Sequence, residues 1–312
     1  MAVSTRLSFD ASGGTAALRR KRRNLTADKD RLAYFLIGLP LLYVVIVIVL
    51  PLLFNIYASL FSWRLVVGDP VYVGFGNYAE VLTEKRWLYS LLRTLAFAGL
   101  AVGIELVVGF AIALLLYHRF NNLRWLQALF LTPMMISEVA AALAWRLMLS
   151  GEGGLANWIT TSLGLPAQLW LGPDWAFLSI VAVDVWQQTP FVVLVMFAAL
   201  QGVPKELLEA AELDGAPLYH RIAHVIIPIV RPALSIVLIF RTVFALRAFT
   251  TVWILTGGGP GDRTAVLGIE IYRTAFSSFE TGLGAALSII MLLMSLIIAV
   301  FYMRAFRRES LA

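Results

Sequence analysis

Asp184 and Gln188 stand four residues apart in an otherwise apolar run, with Trp186 and Gln187 between them. That spacing puts the carboxylate and the amide on one face of a helix. Three other apolar runs carry ionisable residues of the same kind: Glu105 in one, Glu138 and Arg146 in a second, Arg241 and Arg247 in a third, with Phe249 just beyond. A charge at the centre of a hydrocarbon layer costs roughly 2.5–3.5 kcal/mol on insertion scales, so such residues read first as functional. Carboxylates, amides and guanidiniums along a water-filled path can hydrogen-bond the hydroxyls of a sugar, while Trp186 or Phe249 stacks on its ring. The same groups can instead form buried ion pairs that only hold helices together, Asp184 with Arg247 for example. Glu105 and Arg146 fit structural pairing or snorkelling, and Arg93, close to an interface, fits snorkelling. Two Arg residues in one run suit an anionic cargo and serve a neutral one through hydrogen bonds equally well.

The second constellation lies in a polar island, Gln201 to Arg231, between two long apolar segments. Pro204 suits the start of a helix, where its missing N–H is no loss, and Glu206 in the first turn suits the helix dipole. Pro204, Leu207, Leu208 and Ala211 recur at i, i+3, i+4, i+7 and predict one apolar stripe, with Lys205, Glu206, Glu209 and Glu212 away from it. Gly215 is placed to end this helix and Pro217 to begin the next. Helices that lie on lipid carry Lys and Arg on the polar face. This one is mainly acidic, and an anionic leaflet would repel it, so contact with another protein is expected. His220 and His224 share the island at i, i+4, a spacing that suits a metal. No third ligand is evident, and solvated helix positions are the simpler reading.

These residues need a membrane scaffold to hold them. Of 312 residues 60% are hydrophobic and 14% charged, far outside the range of soluble domains. There is no Cys, so no disulfide and no thiolate chemistry. The net charge of +6 flanks apolar runs rather than covering one polar face, which gives no nucleic-acid footprint. Six runs are long enough to cross a hydrocarbon core of about 30 Å: 32–61, 91–117, 125–149, 176–201, 232–255 and 282–303. Residues 1–31 form a polar tail with the block Arg19 to Arg23, 202–231 a connecting loop, and 304–312 a second tail. The run after the first tail is too long for the core of a signal peptide. With the N-terminus in the cytoplasm, cytoplasmic segments hold sixteen Lys and Arg residues and external ones five, which predicts that both termini and the island are cytoplasmic.

The external loops are rich in aromatic and turn residues. Thr256 to Gly261 is Gly-rich, but no Gly-Lys-Ser/Thr follows and no strand precedes it, so it is no phosphate loop. With no nucleotide signature anywhere, uphill work would draw on a partner or on an ion gradient. An ion-coupled secondary transporter would show an internal inverted repeat, which is not evident. An intramembrane enzyme would be expected to place His within the spans, yet His118, His220 and His224 all fall in polar loops.

Glu209-Ala210-Ala211, then Gly215 after three intervening residues, then Val225 and Ile227-Pro228, resembles the signature of the membrane subunits of binding-protein-dependent ABC importers. Asp214-Gly215-Ala216, Pro232, Trp186 to Phe191 and Leu255 to Pro260 agree with the carbohydrate branch. Val73-Gly74-Phe75-Gly76-Asn77-Tyr78 looks like the first permease subunit of the maltose and glycerol-phosphate type. The resemblance implies an all-α integral membrane protein of six transmembrane helices, with a cytoplasmic coupling helix at 203–216 between the fourth and fifth. It implies one half of a heterodimer with a second, homologous permease in the bacterial inner membrane, served by an external substrate-binding protein and a cytoplasmic ATPase dimer. This chain would bind no cofactor itself, ATP and Mg belonging to the ATPase. Glu206, Leu207, Leu208, Glu209, Ala210, Ala211, Asp214 and Gly215 would couple to that ATPase, with Glu209 in an ion pair and Leu207, Leu208 and Ala211 in its groove. Glu138, Asp184, Trp186, Gln187, Gln188, Arg241, Arg247 and Phe249 are the candidates for the cargo path.

Overall fold

The computed structural model describes residues 34–64, 66, 68–119 and 124–308; the predicted tail 1–31 lies outside this range, whereas 304–308 of the second predicted tail continue the last helix. The chain divides into two units, residues 1–57 and 58–312. The first is described from Tyr34, where helix α1 (Tyr34–Ser59) begins. Its Val45–Val49 segment is a π-helical turn in which the Leu50 N–H reaches Val45 O. Pro51 follows at once and has no N–H, so the wider turn absorbs the bond the proline cannot make.

In the second unit a small antiparallel hairpin, β1 (Phe61–Ser62) with β2 (Val71–Tyr72), pairs Phe61 with Tyr72 and Ser62 with Val71. Asn77, in helix α2 (Gly76–Thr83), donates to Ser59 O and Phe61 O and so fixes the entry to the hairpin. Then follow α3 (Lys85–Arg119), α4 (Arg124–Met135), α5 (Glu138–Met148), α6 (Leu155–Ser162), α7 (Ala176–Leu200) and α8 (Lys205–Leu213). The chain closes with α9 (Leu218–Leu246), α10 (Thr250–Thr256), α11 (Leu267–Tyr272) and α12 (Thr281–Arg308). Among the described residues five helices are long and apolar enough to cross a membrane, with a sixth crossing if a bent pair counts as one.

Two expected spans differ from the structure. Residues 125–149 are not one rod: α4 and α5 meet at 96°. Pro133 withholds an N–H near the end of α4, and Ser137 adopts φ −54°, ψ 134°, which leaves the helical region. Residues 232–255 are not one span either. α9 begins inside the polar island at Leu218 and ends at Leu246, and α10 is a separate element. A π-helical turn at Ile222–Ile226, whose Ile227 N–H bonds Ile222 O, lies just ahead of Pro228, the arrangement already met before Pro51. The helix therefore continues where composition alone suggested a loop.

Packing of α3 on α7 depends on small residues. Ala98, Ala101, Glu105, Gly109 and Ala113 recur every three or four positions along α3. A Cβ on Gly109 would lie 2.7 Å from Val192 Cβ on α7. One core, with Phe97, Ile180, Val183 and Leu246, lies beyond Glu105; a second, with Ala113, Val192, Met196, Leu200 and Ile226, lies toward the island. On the other face of the molecule, Arg273 donates to Gly257 O at 2.7 Å and to Asp262 and Glu270, while Arg86 pairs with Glu270. This holds the glycine-rich Gly257–Gly261 turn in place.

Gly109→Ala is expected to lower stability by about 1–3 kcal/mol through overpacking, read as a lower melting temperature in detergent. Gly103→Ala, whose Cβ would meet nothing within 4 Å, is the control.

Candidate functional site

Three buried charges join three long helices. Arg241 on α9 donates from Nε and Nη2 to the two carboxylate oxygens of Glu105 on α3, at 2.6 and 2.7 Å. Its Nη2 also donates to Asp184 Oδ2 on α7 at 2.9 Å. Glu105 is 0% exposed, Arg241 3% and Asp184 8%. A planar guanidinium meets a carboxylate in two parallel bonds, a geometry that Lys cannot copy. Glu105 lies in the small-residue stripe of α3, one turn from Gly109, whose backbone packs against Val192 of α7. The pairing suggested by sequence, Asp184 with Arg247, does not form: Asp184 is held by Arg241, and Arg247 caps the C-terminus of α9 with its side chain exposed.

Asp184 and Arg241 face a cavity of about 640 Å³. α7 contributes Asp184, Gln188 and Phe191, α9 contributes Phe240, Arg241 and Phe244, and the turn into α10 contributes Arg247, Ala248, Phe249 and Thr250. The break between α4 and α5 adds Met134 and Glu138. Glu138 is the first residue of α5, where the helix dipole favours its negative charge, and it accepts a bond from Thr251 Oγ1 at 3.2 Å. The size fits a small-molecule site, and apolar walls with a few polar groups are the usual composition of one.

Glu138, Asp184, Gln188, Arg241, Arg247 and Phe249, all candidates from sequence, thus meet at one cavity. Gln187 does not line it. Its Nε2 donates to Ile136 O at 3.2 Å, satisfying a carbonyl at the α4–α5 break. Trp186 is not in the lining either and packs edge-to-face on Trp145 at 5.5 Å. Arg146 lies in the last turn of α5 and borders a separate hollow with Leu149 and Trp170, away from Glu138. Phe240 and Phe244 are not among the sequence candidates, and Phe191 enters only as the end of the Trp186 to Phe191 motif, because a phenylalanine in an apolar helix is equally at home against lipid.

The island forms a second candidate site. α8 starts after Pro204, and Gly215, at φ +73°, ends it: the Ala216 N–H reaches Ala211 O at 2.9 Å. Leu208 is half-buried: it packs against the core of Leu200, Val203 and Ile226 and borders a hollow with Lys205, Glu209 and Glu212. Ala211 is also half-buried. At 100° per residue the opposite arc holds Glu206, Glu209, Ala210 and Leu213, all exposed, Leu213 at 89%. Leu207 is exposed on the flank, and Asp214 caps the C-terminus of the helix. Glu212 pairs with Arg221 at 3.1 Å and ties α8 to the start of α9. His220 and His224 stack at 4.4 Å, and no group of three or more metal-ligand side chains occurs among the described residues.

Residues 72–309 match the family model described as binding-protein-dependent transport system inner membrane component. The chain is 36% identical to the trehalose/maltose transport system permease protein MalF of Thermococcus litoralis, over 92% of this chain and 99% of that protein. It is 33% identical to the trehalose transport system permease protein SugA of Mycobacterium tuberculosis, over 94% of each. It is 31% identical to the sulfoquinovosyl glycerol transport system permease protein SmoG of Agrobacterium fabrum, over 94% and 96%. Among solved structures it shares its fold with a chain of a bacterial alginate ABC transporter in complex with an alginate-pentasaccharide-bound periplasmic protein. The TM-score is 0.79 at 21% identity, covering 90% of this chain and 96% of that one.

Arg241→Met leaves two carboxylates buried without their cation, and is expected to destabilise by about 3–5 kcal/mol. Arg247→Met removes an exposed side chain and should leave the melting temperature within a degree or two of wild type.

Proposed function

The chain belongs to the family of binding-protein-dependent transport system inner membrane components, and on that premise we propose that its polar cavity is half of a cargo path and α8 its coupling element. It is a multi-pass permease subunit of a carbohydrate ABC importer, and the ion-coupled secondary transporter is set aside by its family. The observation that carries the proposal is the cavity itself. Hydrogen-bonding groups and phenylalanines from α7, α9 and the α4–α5 break converge on one space between long apolar helices. A sugar, with hydroxyl edges and C–H faces, matches that mixture. Half-helices whose ends meet at depth are a recurring way to expose polar backbone to a cargo inside a membrane.

α8 then faces a cytoplasmic ATPase with Glu206, Glu209, Ala210 and Leu213, while Leu208 and Ala211 hold it to the membrane body. The exposed arc is acidic and carries one large apolar side chain, which suits a basic groove on a protein and not an anionic lipid surface. Hydrolysis of ATP with Mg belongs to that partner, and this chain contributes no catalytic group. A second, homologous permease completes the path, and an external substrate-binding protein delivers the cargo. The excess of Lys and Arg on the island and tails supports cytoplasmic termini in a bacterial inner membrane.

Glu209→Lys reverses a charge on the exposed arc, and Gly215→Pro removes the positive φ that turns the chain. Both are expected to leave membrane insertion and subunit assembly intact while uptake falls at least tenfold and ATPase activity no longer responds to the cargo-loaded binding protein. Normal uptake by assembled variants would refute the coupling role of α8.

A further inference from the structure

The groups that line the cavity carry information about the charge of what passes. Two cations lie there, Arg241 and Arg247, against Glu138 and Asp184, with Glu105 directly behind Arg241. Arg241 is already committed to two carboxylates. Two carboxylates and one guanidinium sum to minus one, or to zero if a proton resides among them; in neither state is the triad positive. Arg247, which pairs with no described residue, is balanced in number by Glu138 in the same lining. The charge this chain contributes to the cavity is therefore neutral or negative.

Donors are still available. Arg241 uses Nε and Nη2 on the carboxylates, and its Nη1 makes no hydrogen bond to a described residue. A guanidinium held by two carboxylates keeps its directional N–H groups but has lost its attraction for an anion. Asp184 and Glu138 offer acceptors for hydroxyl hydrogens, and Phe240 and Phe249 offer apolar faces. An anionic group would shed water against those phenylalanines with no net positive charge to replace it.

We infer that this permease passes an uncharged, polyhydroxylated cargo and discriminates against carboxylated, phosphorylated or sulfonated sugars. The inference rests on the cavity being the cargo path. Family membership does not decide it, since both kinds of cargo contain sugar rings. Glu138 and Arg247 are the residues that set the balance.

The test is uptake by cells carrying the whole transporter, with trehalose and maltose as neutral probes and a disaccharide uronate and a hexose phosphate as anionic ones. Wild type is expected to take up a neutral probe and exclude both anions. Glu138→Gln removes one negative charge, and at about 10 Å and an effective dielectric of about 20 this raises the ratio of anionic to neutral uptake roughly tenfold. Arg247→Gln lowers the ratio by a similar factor. Anionic uptake exceeding neutral uptake in wild type, or unchanged ratios in both variants, overturns the inference. Gln188→Leu and Phe249→Ala separate the two failures. If both leave uptake untouched, the cavity is not the path; if either alters uptake of an anionic cargo, the path stands and the charge rule falls.

Discussion

A fork of two hydrogen bonds from Arg241 to Glu105, closed by a third to Asp184, is the constraint around which the second unit is built. It fixes the rotation of three long helices about their own axes, because each must present one particular residue to the other two. Leucines and valines against an apolar surround offer little such discrimination, since sliding or rotating them costs little where the lipid tails are equally apolar. Burial of three ionisable groups is expensive, and hydrophobic residues of similar volume often hold helices as well. Their retention at this position fits a role in placing Asp184 and one edge of Arg241 at the cavity rather than in bulk stability.

The same logic governs the breaks. A membrane helix cannot leave backbone groups unpaired without a substitute partner. Before Pro51 and Pro228 the helix widens by one residue and stays continuous. Between α4 and α5 it does not: the chain bends by 96°, and Gln187 from α7 supplies an amide to the stranded carbonyl of Ile136. The difference sets what lines the cavity. Continuous helices form walls, and the corner between α4 and α5 delivers Glu138 and Met134 to the space they enclose.

Much of this was legible from the residues alone. The apolar runs, the i, i+4 pair Asp184 and Gln188, and the amphipathic pattern of 204–213 all rest on short-range periodicity, which a sequence displays directly. What stayed hidden depends on distant partners. Nothing local distinguishes Arg241 from Arg247 as the mate of Asp184; only the path of α3 past α7, allowed by Gly109, brings Glu105 to the first of them. Leu207 and Leu208 read alike until Leu200 and Ile226 are known to lie beneath one of them. Pro133 and Pro228 look alike as letters, yet one accompanies a corner and the other a wide turn, because the residues that follow them differ in the company they find.

The continuity of α9 has a mechanical consequence. Arg221, hooked to Glu212 of α8, and Arg241, locked to Glu105, sit on one uninterrupted rod about 30 Å apart at 1.5 Å per residue. A rod of that length tilting by about 10° about one end carries the other end through roughly 5 Å, close to one helical turn. That stroke exceeds the reach of the bonds from Arg241 to its carboxylates, so the fork must either travel with the rod and drag α3 along, or part. Pressure on the small acidic helix would in that way be converted, without any intervening loop to dissipate it, into a choice of ion-pair partner deep between the spans.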